Sequence, residues 1–278
     1  MKMITEKILP DVIKKRRTDS FKSNYGKVAL IGGNENFGGA IIMSTLGAVY
    51  AGAGLTTTIT ALSNQTSLHS WIPEAMFLDY SNINETNKLV NKMDVITIGS
   101  GLGTDENSLK VLKNVLENVE PQQTLIIDGS AIDLIATYNL QLPNVKLILT
   151  PHQMEWQKIS NVKIKDQTEK NNQLAYHNLA QNHELILVLK SEHTHTYYQN
   201  DVYLNTTGTP AQATGGMGDT LAGIIAGFVA QFGYSEKVIN AAVFSHSKIA
   251  TDLAENQYVV LPHQISQKLP EFMKKNEK

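Results

Sequence analysis

The sequence predicts an α/β fold in which a mostly parallel central sheet is covered by helices on both faces, and three observations predict it. Short β-rich runs alternate with helical segments, the pattern of successive βα units. The β-rich runs are continuously apolar rather than alternating, as expected where helices bury both faces of a sheet. Glycine-rich turns stand where those runs end, at Gly32-Gly33, Gly99-Ser100-Gly101-Leu102-Gly103, Gly129 and Gly215-Gly216-Met217-Gly218. In an open parallel sheet, ligands bind at that end of the strands. Tight loop geometry alone accounts for about half of such turns.

In chain order the expected strands are 27–31, 55–60, 95–98, 124–128, 146–149 and 185–189. Between them the clearest helix is 105–119, with Leu109, Leu112, Val115, Leu116 and Val119 on one face and Thr104 as its cap. His195–Gln199 and Asp201–Asn205 alternate and break at Asn200-Asp201, which predicts an antiparallel hairpin at the sheet edge. Helices over 218–232, 235–253 and 263–274 close the chain. No linker, repeat or low-complexity tract divides it, so residues 1–278 are expected to form a single domain, with 1–24 as an N-terminal extension.

Composition narrows the function. Hydrophobic residues are 42% of the 278, enough for a sizeable core, and the formal charge of −2 gives no reason to expect nucleic acid or an anionic membrane as partner. The basic run Lys14-Lys15-Arg16-Arg17 is flanked by Asp11 and Asp19 and fits a solvated helix end. The absence of cysteine excludes disulfides, thiolate metal sites and a Cys nucleophile. The first residues lack an apolar signal region, and the longest apolar run, Leu221 to Phe232, is too short to span a bilayer. A soluble cytoplasmic protein is the expectation.

The strongest chemical signal is Thr214-Gly215-Gly216-Met217-Gly218-Asp219-Thr220, followed at once by a small-residue helix. Successive glycines let several N–H groups converge on one point, and a helix start adds partial positive charge there. Together they make an anion hole suited to a phosphoryl group in transfer. Asp219 in the first helical turn is placed to take a proton from an attacking hydroxyl. An isolated Gly-Asp pair would usually be a mere helix cap; the flanking glycines and the apolar helix behind them turn the balance toward a base.

Gly215-Gly216-Met217-Gly218-Asp219 resembles the anion-hole and base motif of ribokinase-like small-molecule kinases, which implies a three-layer ribokinase-like fold. The chain as a whole resembles the ADP-dependent NAD(P)H-hydrate dehydratase family, from about Tyr25 to His263. The motifs follow in order: Gly32-Gly33-Asn34 with Phe37 and Gly39-Ala40, Ala51-Gly52-Ala53-Gly54-Leu55, Pro73-Glu74, Gly99 to Gly103, Asp128-Gly129-Ser130-Ala131, Thr150-Pro151-His152 with Glu155, Leu189-Lys190 with Thr194, the glycine motif, and Ser245-His246. The resemblance implies a repair lyase that removes water from the S-epimer of hydrated NADH or NADPH, spends ADP or ATP with Mg²⁺, and assembles as a homo-oligomer. No epimerase-like domain precedes Tyr25, so interconversion of hydrate epimers would fall to another protein.

By the same resemblance, Ala40, Gly103, His152 and Asp219 occupy positions that contact the hydrated dinucleotide. Lys190, Ser191, Glu192, His193 and Thr194, with Gly218, occupy positions that contact the adenine nucleotide. No metal ligand is assigned. Ser191 stands where the family has Gly, Met154 replaces the Gly of Pro-His-x-Gly-Glu, and Thr209-Pro210-Ala211-Gln212-Ala213 replaces Asn-Pro-Gly-Met-Ala.

Weaker signals have plainer readings. Lys190 is otherwise an exposed strand-end lysine, and His152 a surface-loop histidine. His193 and His195 would share a strand face but lack a third ligand for a metal site. His246 reads as a packed helical histidine, Trp71 and Trp156 as core or interface residues. Asp128 either faces a metal-bound phosphate or caps the next helix. Gly99 to Thr104 fails the dinucleotide fingerprint at its sixth position, and no Walker A sequence is present. Two competing functions share these features: a kinase of a small alcohol such as a vitamin precursor, and a nucleotide-sensing binding protein without catalysis.

Overall fold

The computed structural model describes residues 1–278. Ten strands form one sheet: β1 (Lys2–Met3), β2 (Lys27–Ile31), β3 (Leu55–Thr60), β4 (Met76–Asp79), β5 (Val95–Ile98), β6 (Thr124–Ile127), β7 (Lys146–Leu149), β8 (Glu184–Leu189), β9 (His195–Tyr198) and β10 (Asp201–Leu204). Their order across the sheet is β1-β10-β9-β8-β7-β6-β5-β2-β3-β4. Seven neighbouring strands, from β8 to β4, are parallel; β9 pairs antiparallel with both β8 and β10. The helices are α1 (Leu9–Val12), α2 (Gly38–Ala51), α3 (Gln65–Trp71), α4 (Ile83–Val90), α5 (Glu106–Asn118), α6 (Ser130–Tyr138), α7 (Gln153–Ser160), α8 (Glu169–Ala180), α9 (Met217–Phe232), α10 (Glu236–Ala254) and α11 (Pro262–Asn276).

The continuous apolar strands do what their pattern requires. In β8, Leu185, Leu187 and Leu189 enter one core with Trp156 and Tyr176, while Ile186 and Val188 enter the other with α2, α9, α10 and α11. Ala29 and Ile31 of β2 divide from Val28 and Leu30 in the same way. Successive side chains point to opposite faces, so a strand apolar at every position feeds two cores and makes a three-layer fold.

The structure corrects several expectations. Residues 1–24 pack against the rest of the fold: β1 pairs with β10, and Ile4, Leu9, Val12 and Ile13 are buried. The hairpin of β9 and β10 is therefore one strand in from the edge, and its turn falls at Gln199-Asn200, with Tyr198 opposite Asp201. The other edge, β4, was not predicted; it is short, carries no β-branched residue and is half-exposed. Asp105, not Thr104, caps α5, its carboxylate accepting from the N–H groups of Asn107 and Ser108. Trp156 is a core residue whose Nε1 donates to Asn172 at 2.9 Å. Trp71, in contrast, is 53% exposed, against the ring of His263.

One packing detail positions the site. α2 and α9 cross so closely that a Cβ on Gly223 would run into the carbonyl of Ser44, and one on Gly47 would sit 2.6 Å from that of Thr220. Glycine in a helix interior costs about 1 kcal/mol relative to alanine. Here it brings two backbones together and fixes the start of α9 over the carboxyl ends of the strands.

Candidate active site

The start of α9 is open. Gly216 is its N-cap, at φ 95°, and no side chain caps the helix. The first N–H groups of a helix have no intrahelical acceptor, so those of the first turn are free to meet an anion. A Cβ on Gly215 would meet nothing within 4 Å, and one on Gly218 would lie 3.0 Å from Lys190 Nζ. Gly215 borders open space and Gly218 the end of the Lys190 side chain, whereas Gly216 is packed against Met43.

Asp219 projects from that first turn into a group of charges delivered by separate strands. Burial pushes its carboxyl up to about 6, the charge of Asp128 adds to the effect, and a hydrogen bond from Ser100 and the charge of Lys190 oppose it. Asp128 follows β6 and is 2% exposed. Its Oδ1 accepts from Lys190 Nζ at 2.7 Å and from Thr150 Oγ1 at 2.6 Å. It does not cap α6, whose N-cap is Gly129. Lys190 is no exposed strand-end lysine either, since only 17% of its side chain is accessible. Burial disfavours its charge, but Asp128, Glu155 and Asp219 outweigh that and hold its pKa above the ordinary lysine value. Removing either member of the Lys190–Asp128 pair would leave a buried charge uncompensated.

His152 and Glu155 extend the group along α7. His152 Nδ1 accepts from the N–H groups of Met154 and Glu155 at 3.0 and 3.2 Å, and its own main-chain N–H donates to Glu155 Oε2 at 2.7 Å, a reciprocal cap. This holds the ring at the site, although 54% of the side chain stays exposed. Burial and the charge of Lys190 keep its pKa below the usual histidine value. Burial raises Glu155 to about 7 against the pull of Lys190.

A cavity of about 680 Å³ opens beside Lys190. It brings together His152, Lys190, Ser191, Glu192, His193, Thr194 and Gly218, all named from the sequence. The departing segment 209–213 forms its opposite wall: Thr209 and Gln212 cap the turn Pro210–Gln212 reciprocally, so this replacement supports its own loop. Ser191 Oγ donates to the carbonyl of His193 at 2.6 Å and shapes the Ser191–His193 turn.

Ala40, in the first turn of α2, and Gly103, in the loop after β5, lie outside this cavity. The loop that carries Gly103 packs against α2 at Gly101, where a Cβ would sit 2.8 Å from that of Ala40. In sheet order β8 is followed by β7, β6, β5 and β2. The residues therefore form two patches along the strand ends, with Asp219, facing Ser100, Asp128 and Lys190, between them. His193 and His195 join no cluster of three metal-ligating side chains.

Glu155, Ser100 and His246 were given no chemical role from residue patterns alone, and Asp128 was left between a metal-bound phosphate and a helix cap. Asp128, Glu155 and Ser100 acquire one only when strand ends converge. His246 is indeed buried in α10, and burial drives its pKa down to about 4, yet its ring also lines the cavity.

Residues 28–271 match the family described as NAD(P)H-hydrate dehydratase. The chain is 50% identical over 273 residues to the ADP-dependent (S)-NAD(P)H-hydrate dehydratase of Lactiplantibacillus plantarum, covering 98% of this chain and 97% of that protein. A solved ribokinase-like superfamily protein from Enterococcus faecalis superposes with a TM-score of 0.96 at 48% identity, over 99% of this chain and 96% of the other. The ADP/ATP-dependent NAD(P)H-hydrate dehydratase of Bacillus subtilis, co-crystallised with ATP and Mg²⁺, superposes with a TM-score of 0.87 at 26% identity over 99% of both.

Proposed function

The chain belongs to the NAD(P)H-hydrate dehydratase family, and from that membership and the site we propose that it converts the S-epimer of hydrated NADH or NADPH to the reduced cofactor, spending ADP or ATP. The observation that carries this reading is the position of Asp219: a half-buried carboxylate between two ligand patches, at an uncapped helix start. Phosphoryl transfer needs that arrangement, with one ligand supplying phosphorus and the other a hydroxyl, and the base and anion hole at their meeting point.

Hydroxide is a poor leaving group, so the ring hydroxyl is first phosphorylated. Asp219 takes the hydroxyl proton, the oxygen attacks the terminal phosphorus of ADP, and AMP leaves. The ring-nitrogen lone pair then expels phosphate while the adjacent ring carbon sheds a proton. The products are the repaired cofactor, AMP and phosphate. The main-chain N–H groups around Gly215 to Gly218 would receive the charge that develops on the transferring group. Lys190 through Thr194 and Gly218 hold the nucleotide, Ala40 and Gly103 hold the dinucleotide, and His152, which lines the nucleotide cavity, reaches the dinucleotide from that side.

Mg²⁺ fits this site only as an ion carried in by the nucleotide. No cluster of three acidic or histidine side chains forms a resident cage, and Mg²⁺ characteristically keeps substrate phosphates and waters as ligands. No helix is long and apolar enough to cross a membrane. We place the reaction in the cytoplasm, where nicotinamide cofactors and ADP are abundant, and treat residues 1–278 as one working unit. Exposed Trp71, Tyr258 and Leu261 offer apolar surface for a homo-oligomer.

The test is incubation with hydrated NADH, ADP and Mg²⁺. Recovery of dihydronicotinamide absorbance with equal release of phosphate and AMP is expected. A stable phosphorylated alcohol would identify a kinase instead, and calorimetric binding of ADP without turnover would identify a sensor.

A further inference from the structure

Three neighbouring strands each end one residue short of a polar side chain: Asp128 after β6, Thr150 after β7 and Lys190 after β8. Their main-chain N–H groups continue the ladder past the strands. Asp128 donates to the carbonyl of Ile98 at 3.0 Å, Thr150 to that of Ile127 at 3.1 Å and Lys190 to that of Pro151 at 2.8 Å. All three backbones are therefore fixed, and the side chains converge on one atom. Asp128 Oδ1 accepts from Thr150 Oγ1 at 2.6 Å and from Lys190 Nζ at 2.7 Å. The Thr150 hydroxyl has one hydrogen to donate, and the carbonyl of Ile127 stands back at 3.4 Å, so that hydrogen goes to Asp128. The Lys190 ammonium carries three hydrogens and gives one to Asp128; the others meet no protein acceptor. That ammonium lies at the uncapped start of α9, 3.0 Å from where a Cβ on Gly218 would be.

We propose that Asp128 is a positioning residue for the reaction: held by Thr150, it anchors the Lys190 ammonium at the start of α9, aimed at the terminal phosphate of the nucleotide. The inference rests on the reading of Lys190 as a nucleotide contact. A lysine side chain has several rotatable bonds, and ordering them only when the nucleotide arrives would cost rotamer entropy. A buried acceptor orders them during folding, so the positive charge already stands where negative charge develops. Glu155 and Asp219 also favour the charge on Lys190, but only Asp128 is hydrogen-bonded to it. Asp128 occupies one donor and leaves two for phosphate oxygens. A buried ion pair contributes little to stability compared with apolar residues of the same size. The part of this pair that stays accessible, 17% of the lysine side chain against 3% of the aspartate, is the part a ligand would meet.

The test compares Asp128→Asn, Lys190→Met and the double variant, made in the full chain and assayed with hydrated NADPH, ADP and Mg²⁺. Asp128→Asn should lower kcat about tenfold and Lys190→Met about a hundredfold. Each leaves one buried charge unpaired and should lower Tm; the double variant leaves none, so its Tm should recover. Its kcat should stay at the Lys190→Met level. A kcat that recovers together with Tm would make the pair purely structural and overturn the proposal, as would an Asp128→Asn loss equally large in the Lys190→Met background. Thr150→Val is the milder variant, removing only the donor to Asp128, and should lower kcat roughly two- to fivefold. Should Asp128→Asn not fold, an unchanged kcat in Thr150→Val overturns the proposal. Acylation of Lys190 by an amine-reactive ester, read by mass spectrometry, follows the anchor without turnover. ADP should protect Lys190 in the wild type. Asp128→Asn should speed labelling of the free protein about fivefold, because a released ammonium moves and deprotonates more readily. Equal labelling rates in wild type and variant overturn the proposal. A wild type that fails to dehydrate the substrate would refute the proposed function, while the labelling would still decide whether Asp128 anchors Lys190.

Discussion

Two glycine turns stand at the same end of the sheet and do opposite things. At Gly99, φ is 128° and a Cβ would run into the carbonyl of Asp128. Glycine is there because another backbone already occupies the side-chain position. At Gly215 a Cβ would meet nothing. Glycine there preserves empty space in front of free N–H groups. A run of glycines at a strand end therefore has no single meaning, and its surroundings decide whether it closes the fold or opens a site.

The largest expected effect tests the open turn through its carboxylate. Asp219→Asn keeps the shape and removes the base, so turnover should fall about 10²–10⁴-fold while ADP affinity, read by calorimetry, stays within a few-fold. The same change should stabilise the protein at neutral pH. Folding raises the Asp219 pKa from its ordinary value to about 6, so the group favours the fold while protonated. That contribution is lost as pH rises through about 6, where the buried acid must ionise. Asn never ionises, and the gain at pH 7 should be on the order of 1 kcal/mol, visible as a raised Tm. A variant that is both active and no more stable would remove Asp219 from the mechanism.

The closed turn should fail differently. Gly99→Ala combines an unfavourable φ with overlap against fixed backbone, which should cost about 3 kcal/mol or more of stability. Denaturant melts would report it, and the residual folded fraction should bind ADP normally. Gly215→Ala should leave the melting curve unchanged and lower kcat about tenfold, by filling space meant for the transferring group. If Gly215→Ala destabilised the fold and Gly99→Ala did not, the contrast between the turns would be reversed.

That contrast also explains what could be read from residues alone. β2, β5, β6, β7 and β8 were legible because a largely unbroken apolar run is a local property with one structural consequence, and β3 because its threonines are β-branched. β4 was not, because an edge strand needs only half a pattern, and Met76–Asp79 carries little of that. Asp219 could be singled out because the proposed base and anion hole lie within five consecutive residues. Asp128 and Lys190 lie 62 residues apart. Their pairing exists only because β6 and β8 end beside each other across β7, and no local spacing encodes that.

The smallest expected effect concerns a third glycine, Gly39, beside Ala40 at the start of α2. Like Gly215 it is open, with nothing within 4 Å of a Cβ. Its backbone is not in the left-handed region, so alanine is sterically tolerated there. If that opening faced only solvent, Gly39→Ala would simply improve helix propensity, by a few tenths of a kcal/mol so near the helix start. If Ala40 and its neighbours contact the dinucleotide, an added methyl group narrows that patch. The expected outcome is a slightly raised Tm together with a two- to fivefold loss, roughly, in kcat/KM for the hydrate, and no change in KM for ADP. A loss shared equally by both substrates would place Gly39 nearer the nucleotide and redraw the division between the two patches. An unchanged kcat/KM would move the dinucleotide away from α2, leaving the β5 turn and His152 to hold it.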